Sequence, residues 1–141
     1  MEYTIRQAAA RSGLSEHTLR YYEKEGLLRP VGRTPAGVRF YTDDDINEIA
    51  AVTCLKNTGM PIREIRRFVA LRSLGDATLQ ERRRMVLAHK RSVEEKIASL
   101  RHDLEKIDSK LAYYDAACAA GTEEGLQKPL YSEEAPLAAV L

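Results

Sequence analysis

From Leu79 onward, apolar residues return at every seventh position: Leu79, Val86, Val93, Leu100, Ile107 and Tyr114. A second set, Ile97, Leu104, Leu111 and Cys118, falls between them, so the steps alternate between three and four. Read as heptad d and a positions, the pattern predicts one helix over 76–120, whose stripe of about 40 residues runs roughly 60 Å at about 1.5 Å per residue. One helix cannot bury so narrow a stripe by itself, so the sequence demands a partner, most simply the same helix of a second copy. Arg83 and Lys90 take the early a positions, which puts the weakest part of the seam near its start.

A helix of that length divides the 141 residues into three parts. Residues 1–75 suffice for one small domain, 76–120 for the dimerisation helix, and 121–141 for an irregular tail. That tail holds Gly125, Pro129 and Pro136 and ends in the mildly apolar Leu137–Leu141. The formal charge of +1 argues at first against a nucleic-acid partner. It hides a split: residues 1–75 carry 12 basic and 9 acidic side chains, and the remainder 10 and 12. The head is basic and the rest acidic.

Within the head, Thr4 followed by Gln7 is a capping-box pattern opening a first short helix. Ser12-Gly13 breaks that helix, Leu14 fills the core under the turn, and Ser15 caps a second helix running to Gly26. Two short helices joined by a glycine-containing turn predict a helix-turn-helix. Leu27-Leu28-Arg29-Pro30 reads as extended, 32–37 as a turn, and Val38-Arg39-Phe40-Tyr41 as a returning strand, which together make a wing. Thr42 caps a third helix, with Asp43, Asp44 and Asp45 favoured by the dipole of its first turn. A fourth begins at Pro61. The fold expected is mainly α: a winged helix-turn-helix domain followed by a long coiled-coil helix.

On the second helix Leu19 and Tyr22 face the core, leaving His17, Thr18, Arg20 and Tyr21 outward. Arginine reads guanine or grips phosphate, and tyrosine hydroxyls bind phosphate. The wing adds Arg33 and Arg39, and the fourth helix adds Arg63, Arg66 and Arg67. Any one of these arginines could be ordinary solvated surface; their convergence on one motif points to duplex DNA. The three histidines, His17, His89 and His102, are too scattered for a ligand set, and the consecutive aspartates diverge around their helix. No metal or other cofactor is expected. With no nucleophile–base pair and no glycine-rich phosphate loop, neither is an enzyme.

Thr4-Ile5, Leu19-Arg20-Tyr21-Tyr22-Glu23, Gly26-Leu27-Leu28, Arg39-Phe40-Tyr41 and Gly59-Met60-Pro61-Ile62 resemble, in order and spacing, the MerR family of bacterial transcription regulators. The likeness covers residues 3–118. It implies a homodimer joined by antiparallel long helices, bound to a pseudo-palindromic operator in promoter DNA. It also implies distortion of that DNA to bring promoter elements into register for RNA polymerase. Carried over by position, Thr18, Arg20, Tyr21, Arg39 and Tyr41 become the foremost DNA contacts. Thr4, His17, Arg33, Arg63 and Arg66 support them, and Tyr22 is divided between core and phosphate.

The effector is a separate question. Cys118 alone near the end of the dimer helix is too few thiolates for a metal or cluster site, and 121–141 is too short for a ligand domain. Cys54-Leu55-Lys56-Asn57-Thr58-Gly59-Met60, with Lys110-Leu111-Ala112-Tyr113-Tyr114, looks like the NmlR/AdhR-like branch. That likeness implies sensing of aldehydes and related electrophiles by Cys54. Two readings of Cys54 stand: a thiolate activated by nearby cations, or a small buried hydrophobe beside Val52 and Leu55. Cys118, at an a position, reads as packing. The alternatives in function are a non-covalent small-molecule effector, or a coiled-coil interaction protein that does not bind DNA. Two cysteines 64 positions apart form no disulfide framework, no apolar run spans a bilayer, and the first residues lack an export signal. The expectation is a cytoplasmic protein with reduced thiols and no membrane partner.

Overall fold

The computed structural model describes residues 1–129; Pro136 and the expected apolar end Leu137–Leu141 lie outside the described residues. The elements run β1 (Glu2–Thr4), α1 (Ile5–Ser12), α2 (Glu16–Lys24), β2 (Gly32–Arg33), β3 (Arg39–Thr42), α3 (Asp43–Asn57) and α4 (Ile62–Ser73). A 3₁₀ turn (Gly75–Thr78) then leads into α5 (Leu79–Ala120). Contacts divide the chain into two units, Met1–Val93 and a second starting at Glu94. The change of local structure falls at the 3₁₀ turn, near the expected boundary at 75/76, yet the contacts of the first unit extend to Val93.

The helix starts are made by the predicted side chains. Thr4 accepts from the Gln7 amide at 3.2 Å while Gln7 Oε1 accepts from the Thr4 amide at 2.9 Å, closing the capping box. Ser15 Oγ takes the Thr18 amide at 3.0 Å. Thr42 and Asp45 form a second box, and Asp43 accepts from Tyr3 Oη at 2.8 Å. Asp43 and Asp45 are thus occupied in local contacts, as their place in a helix first turn requires. The Tyr3 hydrogen bond, then the N-terminal amino group, lowers the Asp43 pKa. At Gly13 a left-handed backbone, φ 68°, ends α1 with its N–H on the Ala9 carbonyl.

The sheet has the order β1-β3-β2, antiparallel throughout, with Tyr3↔Tyr41 in one ladder and Gly32↔Phe40 and Arg33↔Arg39 in the other. Two findings differ from the sequence reading. β1 was not expected; it is three residues long, too short to display a period. The first wing strand is Gly32–Arg33 rather than Leu27–Pro30, because Leu27, Leu28 and Val31 turn inward to the core instead of joining a ladder. Around Leu19, Tyr22, Leu27, Tyr41, Ile49 and Ile65, all almost wholly buried, α1–α4 close a single core. Burial of a leucine such as Leu19 contributes about 2 kcal/mol.

In the second unit α5 continues to Ala120 and the chain turns at Gly121, φ 72°. Residues 121–129 are irregular, as expected, and bring Glu123, Lys128 and Pro129 to a shallow cavity of 210 Å³ shared with Lys110, Tyr113 and Tyr114. Tyr113 is buried, which raises its pKa, as does the charge of Glu123. The heptad stripe stays open: Leu100 is 67% exposed and Ile107 61%.

Candidate nucleic-acid interface

On α2 the burial alternates as its wheel dictates. Leu19 and Tyr22 are buried; His17, Arg20 and Tyr21 are exposed, with Thr18 half-buried on the same side. Arg20 pairs across one helical turn with Glu16 at 3.4 Å, and Lys56 of α3 stands over the Tyr21 and Tyr22 rings. The outward set is a short row of donors and one aromatic hydroxyl. It suits the groove or backbone of a duplex.

The last turn of α2 gathers the basic side chains of other elements. Arg39 Nε donates to Glu23 Oε2 at 2.9 Å, and Arg33 lies 3.7 Å from Glu23 Oε1. From α4, Arg66 Nε donates to the Glu25 carbonyl at 2.7 Å and its guanidinium meets the Glu25 carboxylate at 3.3 Å. Gly26, beside Arg66, takes a left-handed φ of 71° that favours glycine. Wing and α4 arginines are therefore both tied to the C-terminal end of the exposed helix. Arg63 is exposed and has no hydrogen bond or ion pair among the described residues, Thr4 is engaged as a cap, and Arg67 is tied to Glu81. Elsewhere in the first unit, buried Glu48 of α3 receives both Arg29 and Arg72. The part played by Glu23 was missed in the sequence, where a glutamate after two tyrosines gives no sign of the arginines that fold onto it.

Two of the expected contacts are buried. Tyr22 is 1% exposed, with its hydroxyl 3.4 Å from Thr53 Oγ1, so it belongs to the core. Tyr41 is fully buried and its hydroxyl has no partner among the described residues. β3 is the central strand, and its inward face carries Tyr41 into the core instead of toward solvent. Burial, then the nearby Glu23 charge, raises the Tyr41 pKa.

Cys54 sits exposed on the last turn of α3, which removes the reading of it as a small buried hydrophobe. Its carbonyl accepts from the Thr58 amide at 3.0 Å and from Thr58 Oγ1 at 2.7 Å, and Thr58 Oγ1 lies 2.6 Å from His89 Nε2. His89, with Pro61, Arg67, Glu81, Arg84 and Met85, lines a groove of 580 Å³ in the first unit. Cys118 is likewise exposed, on the open seam.

Helix-turn-helix, wing and arginines converging on the outward helix define a protein of the winged helix-turn-helix class. Residues 3–71 match the MerR HTH family regulatory protein family, and residues 46–113 the MerR, DNA binding family. An HTH-type transcriptional regulator of Haemophilus influenzae is 40% identical over 133 residues, 94% of this chain and 98% of that protein. AdhR, an HTH-type transcriptional regulator of Bacillus subtilis, is 40% identical over 87 residues, 62% of this chain and 61% of its own length. The crystal structure of HiNmlR, a MerR family regulator lacking the sensor domain and bound to promoter DNA, is similar with a TM-score of 0.83. Its identity is 40%, and the match covers 89% of this chain and 100% of that one. The chain belongs to the MerR family of helix-turn-helix regulators, a family of transcriptional regulators and not of enzymes.

Proposed function

We propose that this protein is a transcriptional regulator that binds promoter DNA as a homodimer and distorts it to control access of RNA polymerase. The observation that carries the reading is the gathering of Arg33, Arg39 and Arg66 around the end of the exposed α2. The DNA-bound state of HiNmlR, at 40% identity, supports it. His17, Thr18, Arg20 and Tyr21 enter the groove or grip its edge, and the arginines of wing and α4 hold phosphates. Arg63 is available at the periphery, and Thr4, whose hydroxyl caps α1, lies there with it. The open seam from Leu79 to Cys118 supplies the dimer contact. Such a protein works in the cytoplasm, and no helix among the described residues is long and apolar enough to cross a membrane.

Binding to duplex carrying its own upstream intergenic sequence, measured over a salt series, tests this. Each phosphate neutralised contributes about 0.9 to the log–log slope. A slope of several is expected; a slope near zero would leave only the coiled-coil interaction protein.

The effector is proposed to be an electrophile that alkylates Cys54, a reading supported by exposure of that thiol at a helix end wired through Thr58 to His89. Cys54→Ser should still bind the operator but lose induction by an aldehyde. Undiminished induction in that variant would favour a non-covalent ligand, for which the 580 Å³ groove beside His89 is large enough.

A further inference from the structure

The wing contains a charge conflict. Arg33 and Arg39 are direct partners across the β2–β3 ladder, and like charges at opposed strand positions repel. The ladder that holds them has only two register pairs, Gly32↔Phe40 and Arg33↔Arg39. A two-stranded ribbon of that size is not stable by itself. What reconciles the two guanidinium groups comes from another element. Glu23, on the last turn of α2, gives Oε2 to Arg39 Nε at 2.9 Å and turns Oε1 toward Arg33 at 3.7 Å. Its side chain is 16% exposed, whereas those of Arg33 and Arg39 are 45% and 29% exposed. The carboxylate sits beneath and the cations lie above it.

The geometry points to Glu23 as a positioning residue that sets DNA specificity, an inference that rests on the DNA-binding reading above. The carboxylate engages Arg39 through Nε, leaving its terminal fork for a bidentate phosphate contact. Arg33 is held from its other side as well, by donation to the Gly37 carbonyl at 3.0 Å. Both wing cations are thereby fixed at a set distance from the helix that enters the groove. Phosphate contacts carry no base information, but they set register. Cations anchored to α2 find phosphates only when α2 is correctly seated. Cations released from it would find phosphates on any duplex. Glu23 thus lowers affinity for arbitrary DNA and widens the margin by which the operator is preferred.

The test compares two fluorescent duplexes over a salt series: an operator selected from random DNA by the wild-type protein, and a scrambled duplex of equal composition. Glu23→Gln keeps shape and removes charge. It should bind the scrambled duplex several-fold more tightly, with a slope steeper by about one phosphate contact, about 0.9. The operator-to-scrambled ratio should fall about tenfold. A residue serving only the scaffold would weaken both duplexes by the same factor, and that result, or an unchanged ratio, overturns the inference. A wild-type protein that selects no operator overturns the DNA reading and this inference together. Should circular dichroism find Glu23→Gln unfolded, Glu23→Asp retains the charge and withdraws it by one methylene. It is expected to lose the ratio with an unchanged slope, and an intact ratio there overturns the inference equally.

Discussion

Tyr21, Tyr22 and Tyr41 share one chemistry and meet three fates. Tyr21 is exposed, Tyr22 is buried with Thr53 beside its hydroxyl, and Tyr41 is buried with no hydrogen-bond partner among the described residues. A buried, unpaired hydroxyl costs about 1–3 kcal/mol relative to water. Tyr41→Phe should therefore leave stability unchanged or raise it by about 1 kcal/mol in urea melts, and leave operator affinity within about twofold. Loss of affinity without loss of stability would return Tyr41 to the set of DNA contacts. The same variant has a pH signature. The folded pKa of Tyr41 is raised, so the folded state keeps the phenol proton that the unfolded chain releases near its ordinary value of 10.0. Stability then falls as pH rises above that value, and Tyr41→Phe should soften this alkaline limb. Asp43 has the opposite sign: its folded pKa is lowered. Its contribution is complete above the ordinary carboxylate range and disappears as pH falls through the folded value, so Asp43→Asn should flatten the acid limb. The outward side of α2 was legible because 3.6-residue spacing puts Leu19 and Tyr22 on one side. The burial of Tyr41 was not, because a four-residue strand flanked by β1 and β2 takes its inward face from neighbours distant in sequence.

Among the elements, the helices were the most readable, since α1, α2 and α3 each announce their start through a side chain that satisfies a free backbone amide. Thr42→Ala removes the acceptor for the Asp45 amide and the partner of its carboxylate, and should cost about 1 kcal/mol in chemical denaturation. The wing was readable as a turn and a return, but its first strand and the added β1 were not, because ladders join residues far apart in sequence. Gly32 is the wing's most constrained position. A Cβ there would lie 2.2 Å from the Phe40 ring, so Gly32→Ala must displace that ring or part the strands. Operator affinity should fall at least tenfold, with the thermal midpoint lowered by only a few degrees, as measured by anisotropy and calorimetry. A full loss of cooperative unfolding would instead make the wing integral to the core. The arginines of the site were visible singly in the sequence. That Glu23 and Glu25 collect them was not, because the meeting of α2, wing and α4 is tertiary.

For the whole molecule, the heptad stripe is decisive. Leu100, Leu104, Ile107 and Leu111 are each more than half exposed in one copy, a contiguous apolar face of the kind that marks an interface. Leu104→Glu should convert the dimer to monomer in analytical ultracentrifugation and abolish operator binding, leaving the circular dichroism of the head intact. A monomeric wild type would remove the dimer from the proposal. A dimer would favour the folded chain, so the proposed assembly should also make the midpoint of thermal unfolding rise with protein concentration. Arg83 and Lys90 give the seam a further property. Aligned head to head, two copies would set Arg83 against Arg83 and Lys90 against Lys90, a repulsion that head-to-tail alignment avoids. In the proposed dimer these two cations would therefore favour one direction of pairing. A chain with leucine at both positions would hold its seam more tightly and lose that preference for direction.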